Sequence, residues 1–432
     1  MWPFSSEASG ERDLSSLDTS YDYVVVGSAF VIYIVAFEGL TSREGGTAGC
    51  VLARRLSDNG DYTVLLIEKG DAGDSWLHRA RLTSIHHFSD RKHSTVFPSA
   101  HDKELNRSVS LIAGLGLGGS TRINGCMYTC GTPGEYNAWA QEGNNGWGYQ
   151  ELKPFFKKSE TWIGPEPREF HGADGPLQVR SFEDFAYRPS EEMYRASERL
   201  GFGGIDDFHS PLEPSFGCNK IQFTVGADGT RSSAFRAYLP HELLFATEDD
   251  NVRATGVVVQ RVDGSMRRTI SARREVMLTC GALITPQLLM LSGVGSASHL
   301  EDMGIKTVVD LPGIGSNLLR IFAFHPYQDH IILPTTYYCP FNDSLWSAFI
   351  WPPALIRELY RYVMHGSGWF LSTLVDCELF GISSLVSEDG TPLPHTKEQE
   401  DPHDPRNLAD FAILSTGIAD PTFPGASWTK GL

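Results

Sequence analysis

Cysteine is scarce in this chain. Seven are spread over 432 residues, at positions 50, 126, 130, 218, 280, 339 and 377, with no C-x-x-C pair. An odd, scattered set fits neither a complete disulfide framework nor a zinc site, and reduced thiols in a cytoplasmic setting are the simpler expectation. Long apolar runs are missing too: the most apolar stretch, Ala29 to Phe37, is far shorter than the roughly 20 residues that span a bilayer. The opening MWPFSSEASGERDLSSLDTS has no basic segment followed by an apolar one, so no secretory signal is read there and no membrane association is expected. Positive charge is in deficit, with 36 Lys and Arg against 53 Asp and Glu and a net charge of −17. With no Lys/Arg-rich block to offset it, nucleic acid is excluded as a partner. There is no internal repeat.

What remains is an ordinary globular composition, 41% hydrophobic and 21% charged, with a modest excess of glycine at 43 residues. At about 150 residues per domain the length suggests two or three domains. Residues 1–20 are polar and expected to be disordered, and they give way to Tyr-Asp-Tyr-Val-Val-Val-Gly, a buried-strand pattern ending in glycine. GCVLARRLSDN (49–59) has helical spacing with Val51, Leu52 and Leu56 on one side, and TVLLIEKG (63–70) is another buried strand. Strand, glycine turn, helix and strand make a βαβ unit. Glycine peaks again in AGLGLGGSTRING (113–125), and REVMLTCGALITPQLLMLSGVG (274–295) reads as strand then helix, with Thr285 as N-cap, Pro286 at N1 and a stop at Ser292-Gly293.

The stretches 140–225 and after 331 are rich in Trp, Phe, Tyr and Pro and read as one mixed domain assembled from separated pieces. Trp139, Trp147 and Tyr149 are expected as core or interface aromatics. Residues 387–407, polar and proline-rich, read as a surface loop. The fold class is α/β: a Rossmann-like nucleotide-binding domain over 21–140 and 225–318, and a second, α+β domain built on a β-sheet over 141–224 and 319–432.

In the dinucleotide-binding plan the glycines allow a tight turn and close backbone approach, so that the helix N-terminus holds a pyrophosphate. Here Gly27-Ser28 ends the strand while Gly46-Thr47-Ala48-Gly49 opens the helix, with 17 residues, Ala29 to Gly45, between them. Removing those 17 leaves G-x-G-x-x-G and brings Glu68, the acid expected to grip the ribose about 20 residues on, from 41 to 24 positions after Gly27. One excision repairs two independent spacings. The plain alternative is an ordinary βα unit with a long loop.

With the excision made, YDYVVVGS…GTAGCVLARRLSDNGDYTVLLIEKG resembles the opening of the glucose-methanol-choline (GMC) family of flavin-dependent oxidoreductases. LGLGGSTRINGCMYTCGTPGEYNAWA (115–140) is similar to that family's first signature, FHGADGPLQV (170–179) to its HG-x-x-GPL element and GALITPQLLMLSGVG (281–295) to its second signature. LPGIGSNL (311–318) followed by Gln328-Asp329-His330 resembles its G-x-NLQDH element. The resemblance implies FAD as cofactor, with Gly27, Ser28, Gly46, Thr47, Ala48 and Gly49 at the pyrophosphate turn and Glu68 on the adenosine ribose. Gly119, Ser120, Asn124 and Gly125 would pass close to the flavin ring and its phosphates. It implies oxidation of a small-molecule alcohol to a carbonyl, a histidine base taking the hydroxyl proton as hydride passes to the flavin, and it leaves the electron acceptor open. The nearest style is that of intracellular members serving fungal secondary-metabolite pathways.

The chain departs from the family pattern at Ala29 to Gly45, at Leu319 to Tyr327, after AYLPHELL (237–244), and at its end. The family's catalytic histidine would be expected beyond Leu432, so no catalytic residue is assigned here. His330 and His171 read as structural, and His86-His87 are not expected to hold a metal. The alternative is an inactive, truncated or mis-spliced pseudoenzyme with an incomplete FAD module. An NAD-dependent dehydrogenase would explain Glu68 but not the 281–295 block; a carbon–carbon lyase of the same superfamily has no residue in its favour.

Overall fold

A computed structural model describes residues 18–26, 33–34, 45–58, 60–68, 76–81, 90–101, 108, 110–164, 169–185, 187–239, 256–260, 267–316, 347, 351–365, 368–371 and 375–416. They fall into two compact units: one within 1–78, 85–124 and 233–333, the other within 79–84, 125–232 and 334–432. The divisions at 124/125 and 232/233 compare with 140/141 and 224/225 expected from composition. Gly27, Ser28, His86, His87 and His330 lie outside the described residues, as do nearly all of the two expected insertions.

The first unit is built on a five-stranded sheet in the order Tyr33–Ile34, Gly256–Gln260, Arg267–Leu278, Ser20–Val26, Val64–Ile67. Ser20–Val26 runs parallel to both neighbours, with Val26 opposite Leu278 on one side and Ile67 on the other. Val24, Val25 and Val26 are completely buried, as a parallel strand covered on both faces must be. Ser20 already belongs to this strand, so the disorder expected over 1–20 does not extend to residue 20, while residues 1–17 lie outside the described residues. Tyr33–Ile34, from the stretch that splits the glycine turn, pairs antiparallel with Val257 and Val258 at the sheet's outer edge.

The helix after the split turn spans Thr47–Ser57 and buries Gly49, Cys50 and Ala53. Val51, Leu52 and Leu56, expected to be its core face, are only half-buried. The reason is close packing: a Cβ on Gly49 would lie 3.0 Å from Thr279 Oγ1 and 3.3 Å from Leu66 Cδ1, so the smallest side chains face the sheet. Cys50, with Val51 beside it, packs on Ala234 and Tyr238 instead. The second helix spans Gly281–Leu291, beginning four residues before the expected cap at Thr285. Gly281, at φ +80°, turns the chain out of the strand and supplies the start; Pro286 forfeits only the bond to the Ala282 carbonyl, in the first turn, and the helix forms through it. The stop at Ser292 and Gly293 is where the sequence places it.

One ion pair ties this sheet together at its start. Arg273, nearly buried, donates from Nε and Nη2 to the two Asp22 carboxylate oxygens at 3.1 Å each, from Nη1 to Ser20 Oγ at 3.1 Å and from Nη2 to Thr63 Oγ1 at 2.9 Å. Burial pushes the Asp22 carboxyl up, but hydrogen bonds from Arg273 and Thr63 outweigh it and hold it below its usual range.

The second unit contains an antiparallel sheet in the order Phe411–Thr416, Val375–Gly381, Gly217–Lys220, which joins the two separated stretches of chain directly. Cys218, Cys377 and Leu379 on one face pack against Met193 and Tyr194 of the helix Arg188–Leu200. Residues 387–407 are largely exposed. So are Trp139 and Trp147, at 50% and 52%, edge to face with one another; only Tyr149 joins the interior. The two tryptophans are therefore not core residues: they lie on and just after the short helix Pro133–Gln141, which buries Pro133 and Gly134 instead.

A buried polar hub accompanies the apolar packing of this unit. His171 Nδ1 meets Glu160 Oε1 at 2.8 Å and its Nε2 meets Asp207 Oδ1 at 3.3 Å. Gly172 N–H donates to Glu160, Gln222 Nε2 and His209 N–H donate to Asp207, and Cys130 N–H donates to His209 Nε2. The His171 and His209 rings stack at 4.6 Å. Burial opposes a charge on His171, but hydrogen bonds to Asp207 and then Glu160 raise its pKa overall. Burial, with His171 beside it, pushes His209 down to about 4.

Two stability predictions follow from these ties. Arg273→Ala removes the nearer cation of half-buried Asp22, leaving Arg274 at 3.9 Å, and should cost about 1–2 kcal/mol in denaturant unfolding. The Asp22 contribution of the parent should vanish as pH falls through its lowered pKa. His209 is neutral when folded but titrates near 6.5 when unfolded, so the unfolded state binds more protons between pH 6.5 and about 4. Stability should therefore fall across that window by about 3 kcal/mol, and His209→Gln should flatten that acid limb. The His171 contribution runs the other way, complete below pH 6.5 and lost as pH rises through its raised pKa.

Candidate cofactor site

Gly46 caps the Thr47–Ser57 helix, and neither a capping side chain nor an acidic residue occupies its first turn. The N–H groups there, and the positive end of the helix, are left to an anion. Against this helix start lies the second glycine segment. Gly119 sits at φ +52°, and a Cβ on it would come within 3.1 Å of Gly46 Cα and of Thr47 N. Only glycine permits that approach. Gly118 N–H donates to the Gly45 carbonyl and Thr47 Oγ1 donates to the Gly118 carbonyl, both at 3.0 Å. Ser120 Oγ accepts from Gly114 N–H at 3.1 Å, and its carbonyl accepts from Asn124 N–H at 2.9 Å.

Glu68 follows the Val64–Ile67 strand directly, half-buried, with Oε1 accepting from Gly116 N–H at 2.9 Å. The first unit thus gathers Gly46, Thr47, Ala48, Gly49, Glu68, Gly119, Ser120 and Asn124, with Thr47, Ala48 and Ser120 exposed at its surface. Gly125 begins the second unit. The donor set suits a dinucleotide: an uncapped helix start for a pyrophosphate, a carboxylate at the strand end for a ribose diol, and a glycine cradle that a Cβ would fill. The Cys50 thiol beneath it is pushed up to about 12 by burial, which makes it packing rather than a nucleophile.

Two groupings were not identified from the sequence. Glycine density marked 113–125, but not that Gly114 packs so tightly on the turn that a Cβ would fall 2.4 Å from the Gly119 carbonyl oxygen. The Glu160, His171 and His209 cluster offers three ligand atoms within 4.8 Å of one another. Its geometry is nonetheless that of a hydrogen-bonded hub, because both His171 nitrogens already face carboxylates.

Residues 42–322 match the GMC oxidoreductase family. An oxygen-dependent choline dehydrogenase from Paraburkholderia phymatum is 33% identical over 346 residues, which are 76% of this chain and 55% of that protein. The chain spans about half the length of the curated relatives it matches. Among solved structures, formate oxidase from Aspergillus oryzae aligns with a TM-score of 0.69 at 21% identity, covering 94% of this chain and 70% of that one. An FAD-dependent oxidoreductase from Chaetomium thermophilum aligns with a TM-score of 0.65 at 24% identity, covering 83% and 61%. No described helix is long and apolar enough to cross a membrane. A family match over more than half of the chain, together with the glycine cradle at the helix start, makes this chain a member of the GMC oxidoreductases, whose cofactor is FAD.

Proposed function

We propose that the first unit binds FAD through the Gly46 helix start, Glu68 and the Gly119–Asn124 segment, and that the protein oxidises the CH–OH group of a small alcohol to a carbonyl. The observation that carries this reading is the Gly119 backbone lying against Gly46 and Thr47, which builds one cradle from two distant glycine segments. FAD, when bound, supplies the acceptor for the hydride leaving the carbinol carbon. The chain's own residues hold it. The helix start neutralises the pyrophosphate, Glu68 accepts from the ribose hydroxyls, and Gly119, Ser120 and Asn124 let backbone approach the ring without bulk. His171 and His209 are committed to Glu160, Asp207 and the Cys130 amide, so the histidine base implied by the family resemblance is not drawn from that hub. A setting in secondary-metabolite biosynthesis, and the identity of the electron acceptor, rest on the sequence resemblance alone.

The direct test is the visible spectrum of the purified chain after FAD loading and gel filtration. Retained flavin bands that bleach on adding an alcohol support the reading. A colourless protein would favour a pseudoenzyme with an interrupted turn. Gly119→Ala forces a Cβ onto the Gly46 backbone at a positive φ and should lower FAD affinity at least tenfold in a fluorescence titration, about 1.4 kcal/mol or more. Glu68→Ala, removing a charged acceptor, should cost a similar factor.

A further inference from the structure

Cys218 and Cys377 lie on adjacent antiparallel strands of the second unit, Gly217–Lys220 and Val375–Gly381, and both are completely buried. Cys218 is opposite Leu379 and Cys377 is opposite Lys220, so the two side chains converge along a diagonal of the ladder. Their sulfurs are 3.6 Å apart. That is a contact between two thiols; a covalent bond would bring them to about 2.05 Å. The strand ladder holds them there, and the apolar side chains of Met193, Tyr194, Phe202 and Phe411 close over them.

We propose that Cys218 and Cys377 are a reversible redox pair, closing to a cross-strand disulfide on exposure to a hydroperoxide and reopening with two equivalents of a small-molecule thiol, which leave as their own disulfide. The Cys218 sulfur attacks one peroxide oxygen and the O–O bond breaks, giving a Cys218 sulfenic acid and water. Cys377 then attacks that sulfur, the S–O bond breaks, and a second water leaves. Two thiols and one hydrogen peroxide thus yield one disulfide and two waters, each sulfur oxidised by one electron and each peroxide oxygen reduced by one.

The order of attack follows from the surroundings. The hydrogen bond from Cys377, against burial and with help from Ser197, lowers the Cys218 thiol pKa. The same shared proton, then burial and the nearby Asp376 and Glu378 carboxylates, raises that of Cys377. The diagonal register sets the reversibility. Diagonal neighbours in an antiparallel pair have Cα atoms about 7–8 Å apart, beyond the roughly 6.8 Å limit of relaxed disulfides. Closure must draw the strands together by about 1 Å, and a bond made under that strain is readily reduced.

The test uses the full chain, reduced and desalted, then exposed to a few equivalents of hydrogen peroxide, denatured in iodoacetamide and digested for mass spectrometry. The expected product is one linked peptide pair carrying Cys218 and Cys377, lighter than its two thiol peptides by two hydrogens and absent after dithiothreitol. In Cys377→Ser, dimedone should trap Cys218 as its sulfenic acid, whereas Cys218→Ser should leave Cys377 an alkylatable thiol. Full iodoacetamide labelling of both cysteines in peroxide-treated parent protein, or linkage of either to a different cysteine, would overturn the proposal. Should the serine variants fail to fold, the peptide map of the parent decides alone.

Discussion

The Arg273 guanidinium reaches Asp22, Ser20 and Thr63 at once, and through them it aligns three strand segments that are remote in sequence. A parallel sheet covered on both faces has little polar patterning of its own to fix which residue lies opposite which. The buried ion pair supplies that information at one end. Past a register shift between Tyr21 and Tyr23, Val26, Ile67 and Leu278 come level at the other end, about 13–17 Å away at some 3.3 Å per residue. The helix start at Gly46 and the Glu68 carboxylate belong to that far end. The proposed cofactor cradle therefore stands at the opposite end of the same strands from the charge pair.

Much of the first unit was legible in the sequence because its elements are local. The β-branched run at 23–26, the second run at 64–67 and the acid that follows announce themselves through residue type alone, and the helix between them through spacing. What was misread is what depends on a neighbour. The apolar period of 47–57 points to Val51, Leu52 and Leu56, yet Gly49 and Ala53 face the sheet because Thr279 and Leu66 come so close. Thr285-Pro286 is a sound local start signal, overruled by a turn at Gly281 that the preceding strand end imposes.

The second unit was far less legible, and for a physical reason. Its hub draws Cys130, Glu160, His171, Asp207, His209 and Gln222 from segments without a common period. A histidine whose two nitrogens are both satisfied by distant carboxylates looks, in sequence, like any histidine beside a glycine. The same holds for Cys218 and Cys377, which are 159 positions apart and become neighbours only through strand pairing. Trp139 and Trp147 err in the opposite direction: large aromatics usually signal interior, but these two meet edge to face at the surface.

The pairing of Ser20–Val26 with Arg267–Leu278 also fixes the order of events on the ribosome. The earliest strand of the sheet cannot gain its principal partner until some 250 further residues have been translated, at roughly 5–20 residues per second. During that interval the Tyr-Val-Val-Val segment has only Val64–Ile67 to pair with, while most of the 125–232 portion of the second unit emerges between them. A sheet closed so late has high contact order and folds slowly. Until then the short β-branched strand presents an unpaired edge on the growing chain, the kind of segment that mispairs unless it is sheltered.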